Sequence, residues 1–416
     1  MIPRSVLALS ATILLPAASG RGDDWPQFRG PTGQGVARES KLPLEWGPQR
    51  NVVWKQAIPG LGWSSPVVVG RRIYLTTAVP GAGNGGGPSL RALCLDARTG
   101  KELWNVEVLA PGPGVPRGHV KNSQASPTPI FDDGRLYVHF GHMGSACLDA
   151  DGKVLWTQTE LKYNPVHGNG GSPVLVDGKL VFACDGGDQQ FVVALDRGTG
   201  KVVWKSDRKC TAFKPFSFCT PLVITVAGKK QVVLPGAEAV RAYEPADGKE
   251  IWRVRYQGYS VVPRPVFGHG LVFVCTGYDP PASLLAIRAD GHGDVTDTHV
   301  AWSVKKAVPL TPSPLLDGDE LYTISDNGFA TCRDAKTGKV HWSKRLDGQF
   351  SASPLLAGGR LYLQSEGGKT FVLKTGTTFK ELGRSDLGER SLASCAVADG
   401  ALFLRTEEAL YRIEEK

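Results

Sequence analysis

Residues 195–204, Leu195-Asp-Arg-Gly-Thr-Gly-Lys-Val-Val-Trp204, decide the fold because the phrase recurs. It returns as Leu-Asp-Ala-Arg-Thr-Gly-Lys-Glu-Leu-Trp104, Glu-Pro-Ala-Asp-Gly-Lys-Glu-Ile-Trp252 and Arg-Asp-Ala-Lys-Thr-Gly-Lys-Val-His-Trp342. A version one residue shorter, Leu-Asp-Ala-Asp-Gly-Lys-Val-Leu, ends at Trp156. With Trp54 and Trp302 these make seven periodic tryptophans, spaced 50, 52, 48, 48, 50 and 40 residues apart. Such a period marks an array of one repeated supersecondary unit.

A second phrase lies about 40 residues upstream of the tryptophans: Ser65-Pro66, Ser126-Pro127, Ser172-Pro173, Thr220-Pro221, Arg264-Pro265, Ser313-Pro314 and Ser353-Pro354. In residues 172–182 it leads into Val-Leu-Val, then Asp177-Gly178, then Leu-Val-Phe, which is two short strands around a hairpin turn. The Ala-Leu-Asp run is a third strand. Thr199-Gly200-Lys201 then turns into a fourth, which carries Trp204, with Gly200 supplying positive φ and Asp196 bonding the turn backbone. Pro173 at a strand start costs no ladder bond. The unit is a four-stranded antiparallel meander, a propeller blade.

Blades begin near residues 64, 125, 171, 219, 263, 312 and 352, and an eighth near Ala393 has three strands and no tryptophan. Asn51-Val-Val-Trp54-Lys-Gln-Ala is an unpartnered fourth strand. Pairing it with the last three closes the ring and removes two exposed edges. The expected fold is therefore all-β, an eight-bladed propeller over residues 51–416 closed by an N-terminal strand. Each tryptophan should wedge between its own blade and a neighbour. The seventh blade lacks one, so Phe379 or Leu382 is expected there, and the insertion Gly291 to His299 reads as a surface loop.

The 51 glycines and 29 prolines in 416 residues argue against long helices. Residues 1–19 read as a signal peptide: Arg4, an apolar run from Val6 to Leu15, then small residues. Residues 20–50, with Trp25-Pro-Gln-Phe28-Arg-Gly-Pro31, read as an extended leader across the propeller. The first cysteine is Cys94, so no lipid-attachment cysteine follows the cleavage region. The expectation is an exported, periplasmic or secreted protein, soluble after cleavage and monomeric, with no transmembrane segment. Cys94, Cys147 and Cys332 occupy one position in three repeats, too far apart to bridge. Cys210 and Cys219 are the only pair near enough in sequence to close a loop, and the sequence leaves open whether they do. The net charge of +8 is spread along the chain without a basic, aromatic-interleaved stripe, which excludes a nucleic-acid partner.

The repeated Ala-x-Asp-x-x-Thr-Gly-Lys-x-x-Trp phrase resembles the tryptophan-docking repeat of the pyrroloquinoline quinone (PQQ) propeller superfamily. That superfamily includes quinoprotein alcohol dehydrogenases and the outer-membrane assembly lipoprotein BamB. The resemblance covers residues 50–416 and implies the propeller fold. WD40 repeats are disfavoured, because Asp never follows the seven tryptophans. The dehydrogenases carry a vicinal Cys-Cys disulfide over the quinone and bind Ca²⁺ through Glu, Asn and Asp. This chain has no Cys-Cys dipeptide, and none of its local motifs matches those ligands.

Loops into first strands and loops between second and third strands should converge at one channel mouth. They bring His119, Lys121, Asn122, His167, Lys214, Arg264, Asp279, Asp326, Asn327, Glu366 and Arg390 to a candidate ligand-binding face. No His-Glu-x-x-His, Cys-x-x-Cys or Gly-x-Ser-x-Gly occurs, and no catalytic or metal residue is assigned. The expected function is a non-catalytic scaffold binding a protein, peptide or polysaccharide at the mouth, with no cofactor. The alternative is a PQQ-dependent oxidoreductase with PQQ and Ca²⁺ at a divergent site.

Overall fold

The computed structural model describes residues 24–38, 41–83, 86–116, 118–278 and 281–415. The signal-peptide reading of residues 1–19 lies outside them. The described chain forms eight blades, each a four-stranded antiparallel meander. In chain order the first strands are Val67–Val69, Ile130–Asp132, Val174–Val176, Leu222–Val226, Val266–Gly268, Leu315–Asp317, Leu355–Ala357 and Ala396–Ala398; these number blades one to eight. First strands of neighbouring blades touch one another, so they line the channel and the fourth strands form the rim.

Ring closure is two-ended. Val52–Ala57 pairs antiparallel with Ala409–Ile413 and supplies the fourth strand of blade eight. The hydrophobic core lies between blades: Ile130 and Tyr137 of blade two, for example, pack with Leu180, Phe182 and Phe191 of blade three.

The recurring phrase works across blades. Asp196 Oδ1 accepts bonds from the Gly198 and Thr199 amides and the Thr199 hydroxyl, fixing the turn. Gly200 sits at φ +71° beneath Trp156 of the preceding blade, and a Cβ there would meet the indole at 2.5 Å. Trp156 Nε1 donates to the Arg197 carbonyl at 3.0 Å. The same donation runs from Trp54 to Ala97, Trp104 to Ala150, Trp204 to Pro245 and Trp302 to Ala335. Trp342 likewise donates to Gly376, so six of the seven tryptophans dock directly on the next blade's turn, and Trp54 docks blade eight onto blade one. Across the ladder its neighbour is small: Cys94, Cys147, Ala194, Ala242, Ala286 or Cys332 opposite the other six. All eight cysteines are free thiols, so Cys210 and Cys219 are not bridged.

Two expectations are corrected. The insertion between the third and fourth strands of blade five is not a plain surface loop: Gly293–Asp294 pairs parallel with Glu250–Arg255 on the outer edge of blade four, and Thr296–His299 forms a short helix. Trp252 is completely buried as a result. Its Nε1 bonds Gln231, whose amide donates on to the Ala289 carbonyl, so Gln231 relays the docking bond. In blade seven neither Phe379 nor Leu382 takes the tryptophan position. The register places Gly383 there, opposite Val372. The leader backbone at Leu44 lies against Gly383, and Trp46 of the leader stacks on Tyr362, ring centroids 6.3 Å apart. The leader supplies the wedge that the repeat lacks.

Before reaching blade seven, the leader crosses the channel. Trp25 pairs with Val68 of blade one and the Pro26 carbonyl accepts from Phe131 of blade two. On the far side Gln34 Oε1 accepts from the Phe267 amide of blade five, and Val36–Ala37 then runs parallel to Leu356–Ala357 of blade seven. Among the described residues no helix is long and apolar enough to cross a membrane.

Candidate binding site at the channel mouth

Because the leader crosses below, the mouth is a dead end: a cavity of about 590 Å³ with Phe28 in its floor. Beneath Phe28, the Arg264 guanidinium donates to the Phe28 and Pro221 carbonyls. Arg29 donates to the carbonyls of Pro314 and Pro354. Both arginines are buried, and no carboxylate among the described residues pairs with either. Burial lowers the pKa of Arg29 to about 9, with repulsion from Arg264 adding to it, and burial lowers Arg264 to about 10. Carbonyl dipoles alone hold these charges.

Just above the floor runs a belt of hydroxyls built by the Ser-Pro phrase. The Ser65 amide donates to Thr128 Oγ1, Thr128 to Ser172 and Ser172 to Thr220. The Arg264 amide donates to Ser313, Ser313 to Ser353 and Ser353 to Ser394. In six of the eight blades this amide is therefore satisfied by the next blade's side chain, and all seven hydroxyl residues line the cavity. The member from blade two is Thr128, not Ser126, because its first strand starts at Ile130. Ser126 instead bonds Asn122 Oδ1. Ser394 supplies the eighth blade, which has no proline there.

The walls come from the longer loops. His167, Phe216, Phe218 and Tyr259 form one aromatic cluster, with His167 edge-on to Phe216 at 5.2 Å and Phe216 edge-on to Tyr259 at 5.8 Å. Lys214 Nζ lies 4.6 Å from the Tyr259 ring centre and donates to its hydroxyl at 3.1 Å. Burial lowers the His167 pKa, reinforced by His119 and Lys214, so the imidazole is neutral at pH 7. Trp63 lines the cavity beneath the Arg390 guanidinium, 5.4 Å from its ring centre.

The connection from blade one to blade two reaches across the mouth. Lys121 pairs with Glu366 of blade seven at 2.7 Å, and Arg390 donates to the Val120 carbonyl while pairing with Glu407. His119, whose amide bonds the His167 carbonyl, and Asn122 lie on the same strap.

Of the residues expected at the mouth, His119, Lys121, Asn122, His167 and Lys214 line the cavity. Glu366 and Arg390 brace its rim through the pairs above, and Glu366 also accepts from Ser351. Asp326 accepts from the Leu310 and Thr311 amides and shapes a loop, while Asn327 accepts from Ser325 within a turn. Arg264 is buried under the floor, away from the cavity surface, because its side chain turns down onto the leader. Asp279 lies outside the described residues. The hydroxyl belt and the aromatic wall were not singled out from sequence. The belt had a signal, the recurring Ser/Thr before Pro; the wall residues sit in loops with no repeat to align them.

Among the described residues no Asp or Glu lines the cavity, and no cluster of three or more His, Cys, Asp or Glu is placed to hold a metal.

Comparisons place this geometry among known proteins. The sequence model of the family described as outer membrane protein assembly factor BamB matches residues 90–297 and 292–412. Quinohemoprotein alcohol dehydrogenase ADH IIB of Pseudomonas putida is 25% identical over 302 residues, which is 62% of this chain and 40% of that protein. The chain thus spans about two fifths of that curated relative's length. The solved structure of BamB from Moraxella catarrhalis matches with a TM-score of 0.62 at 12% identity, covering 88% of this chain and 97% of that one. Quinohemoprotein alcohol dehydrogenase from Comamonas testosteroni matches with a TM-score of 0.68 at 13% identity, covering 96% of this chain and 82% of that one. With the docking phrase, the eight blades and the family match in agreement, the chain belongs to the BamB family of PQQ-like β-propellers.

Proposed function

We propose that this protein is an exported, non-catalytic scaffold that captures a protein, peptide or polysaccharide partner at the mouth face. The observation that carries this reading is the mouth itself. Apolar side chains stand exposed around a closed-floored cavity: Val166 and Tyr278 line it, and Val120 and Phe213, next in sequence to the lining residues Lys121 and Lys214, are 78% and 96% exposed. Removing such surface from water favours association. The assembly-factor description of the matching family supports a binding role. No carboxylate among the described lining residues is available as a general acid or base.

The second reading, a PQQ-dependent oxidoreductase, draws on the likeness to a quinohemoprotein alcohol dehydrogenase. The residues present do not fit a calcium-bound quinone. Among the described residues no Asp or Glu lines the cavity, and no group of three or more His, Cys, Asp or Glu is placed to hold a metal. A melt of the mature protein with PQQ and Ca²⁺ separates the readings. A ligand at 100 times its Kd stabilises by about 2.7 kcal/mol. The scaffold reading expects no shift, with partner capture from the exported fraction lost in Phe213→Ser. A clear upward shift together with dye-linked turnover would overturn it.

A further inference from the structure

We infer that the mouth cavity takes the end of an acidic polysaccharide, with a uronate ring against the aromatic wall and its carboxylate toward the hydroxyl belt and Lys214. This rests on the reading of the mouth as a binding site and names the chemistry that the site selects.

The argument starts from donor and acceptor capacity. A serine or threonine hydroxyl has one O–H to give and two lone pairs to receive with. Six of the seven belt hydroxyls already accept a backbone amide from the preceding blade. Among the described residues none of the seven has an acceptor for its own O–H, and all line the cavity. The belt is therefore a ring of unspent donors at the bottom of a closed pocket. Lys214 adds an ammonium whose one bonded partner among the described residues is a tyrosine hydroxyl, not a carboxylate.

Two acceptors nearby are engaged: Asn122 Oδ1 receives Ser123 and Ser126, and Glu366 Oε1 receives Lys121 and Ser351. Beneath the floor, Arg264 and Arg29 have no counter-carboxylate, so the cavity floor carries positive potential. Each belt O–H needs an acceptor, so a ligand rich in acceptors satisfies the belt better than a peptide, in which every C=O comes with an N–H that also needs a partner. A sugar acid brings a carboxylate and ether oxygens, which only accept. Its hydroxyls can use the second lone pairs of the belt. The C–H face of its ring packs on Phe216, Phe218 or Trp63, and flat aromatic surfaces take such faces with little ordering cost.

The test is equilibrium titration, followed by tryptophan fluorescence and calorimetry, with three probes: a uronate tetramer, the matching neutral hexose tetramer and inorganic sulfate. The uronate is expected to bind at least tenfold more tightly than the neutral tetramer, with affinity falling as salt rises. Lys214→Gln is expected to cut that affinity at least tenfold, and Tyr259→Leu to weaken both sugars. Lys336→Gln, on a distant exposed turn, should leave binding unchanged, and unaltered melts would show that the variants fold. Neutral and acidic tetramers binding equally would overturn the charge assignment while leaving the mouth as the site. Sulfate competing at the same concentration as the uronate would overturn the sugar part, leaving a simple oxyanion pocket. Uronate binding that ignores both Lys214→Gln and Tyr259→Leu would overturn the mouth as the site as well.

Discussion

At the scale of single residues, the protein is held by a contact that no one repeat contains. Trp156 belongs to blade two and Gly200 to blade three, and each is shaped for the other. Trp156→Ala removes the wedge and should cost about 3–5 kcal/mol. Gly200→Ala adds a Cβ at positive φ against the indole and should destabilise by roughly 1–3 kcal/mol. In the double variant the clash is gone, so the two costs should fall short of additivity by more than about 0.5 kcal/mol in urea melts; strict additivity would mean that the two residues do not touch. His139 gives a second residue-scale test. It is buried against Phe182 and bonds Ser145, with His142 close by. Burial, with repulsion from His142, lowers its pKa from 6.5 to about 3. The unfolded chain therefore takes up a proton that the folded chain refuses. Stability from this group is full above pH 6.5 and is lost as pH falls toward 3. Between pH 7 and 4.5 the loss should be roughly 2–3 kcal/mol, and His139→Asn should flatten that slope in denaturation curves measured at both pH values.

At the scale of elements, the leader does more than its composition suggests. It floors the cavity with Phe28, and it supplies blade seven with Trp46. Trp46→Ala should therefore destabilise by about 3–5 kcal/mol, like loss of a repeat tryptophan; an unchanged thermal melt would show that Trp46 is a surface appendage. The four strands of each blade were legible because strand patterning, Asp-Gly turns and the Trp phrase repeat in register. The role of Trp46 was not, since a residue outside the repeat has no period to align it, and Gly383 gives no hint of what covers it. The pairing of Gly293–Asp294 with blade four was hidden for the same reason: a two-residue parallel edge pairing leaves no pattern in sequence. Five of the eleven residues proposed for the mouth line the cavity, since loop positions between strands follow from topology. Side-chain direction does not, which is why Arg264, at a belt position, turns down to the leader instead.

At the scale of the whole molecule, closure turns eight repeats into one cooperative ring. The strand that ends at Ala57 completes a sheet begun at Ala396, so the two ends of the described ring are joined by a ladder and by Trp54 docking on Gly100 and Ala97. Trp54→Ala should lower stability by about 3–5 kcal/mol while keeping a single unfolding transition; a melt matching wild type would mean that the ring does not close there. Closure and the leader's crossing together create a face with one blind cavity, and the central claim is that partners bind on that face. The most direct measurement places a photo-crosslinking p-benzoylphenylalanine at position 213 on the mouth, and separately at position 203 on the outer strand of blade three, then irradiates each with the exported fraction. The account predicts a discrete adduct from position 213 that Lys214→Gln diminishes, and none from position 203. An adduct from position 203 alone would contradict it and move the binding surface to the rim of the ring.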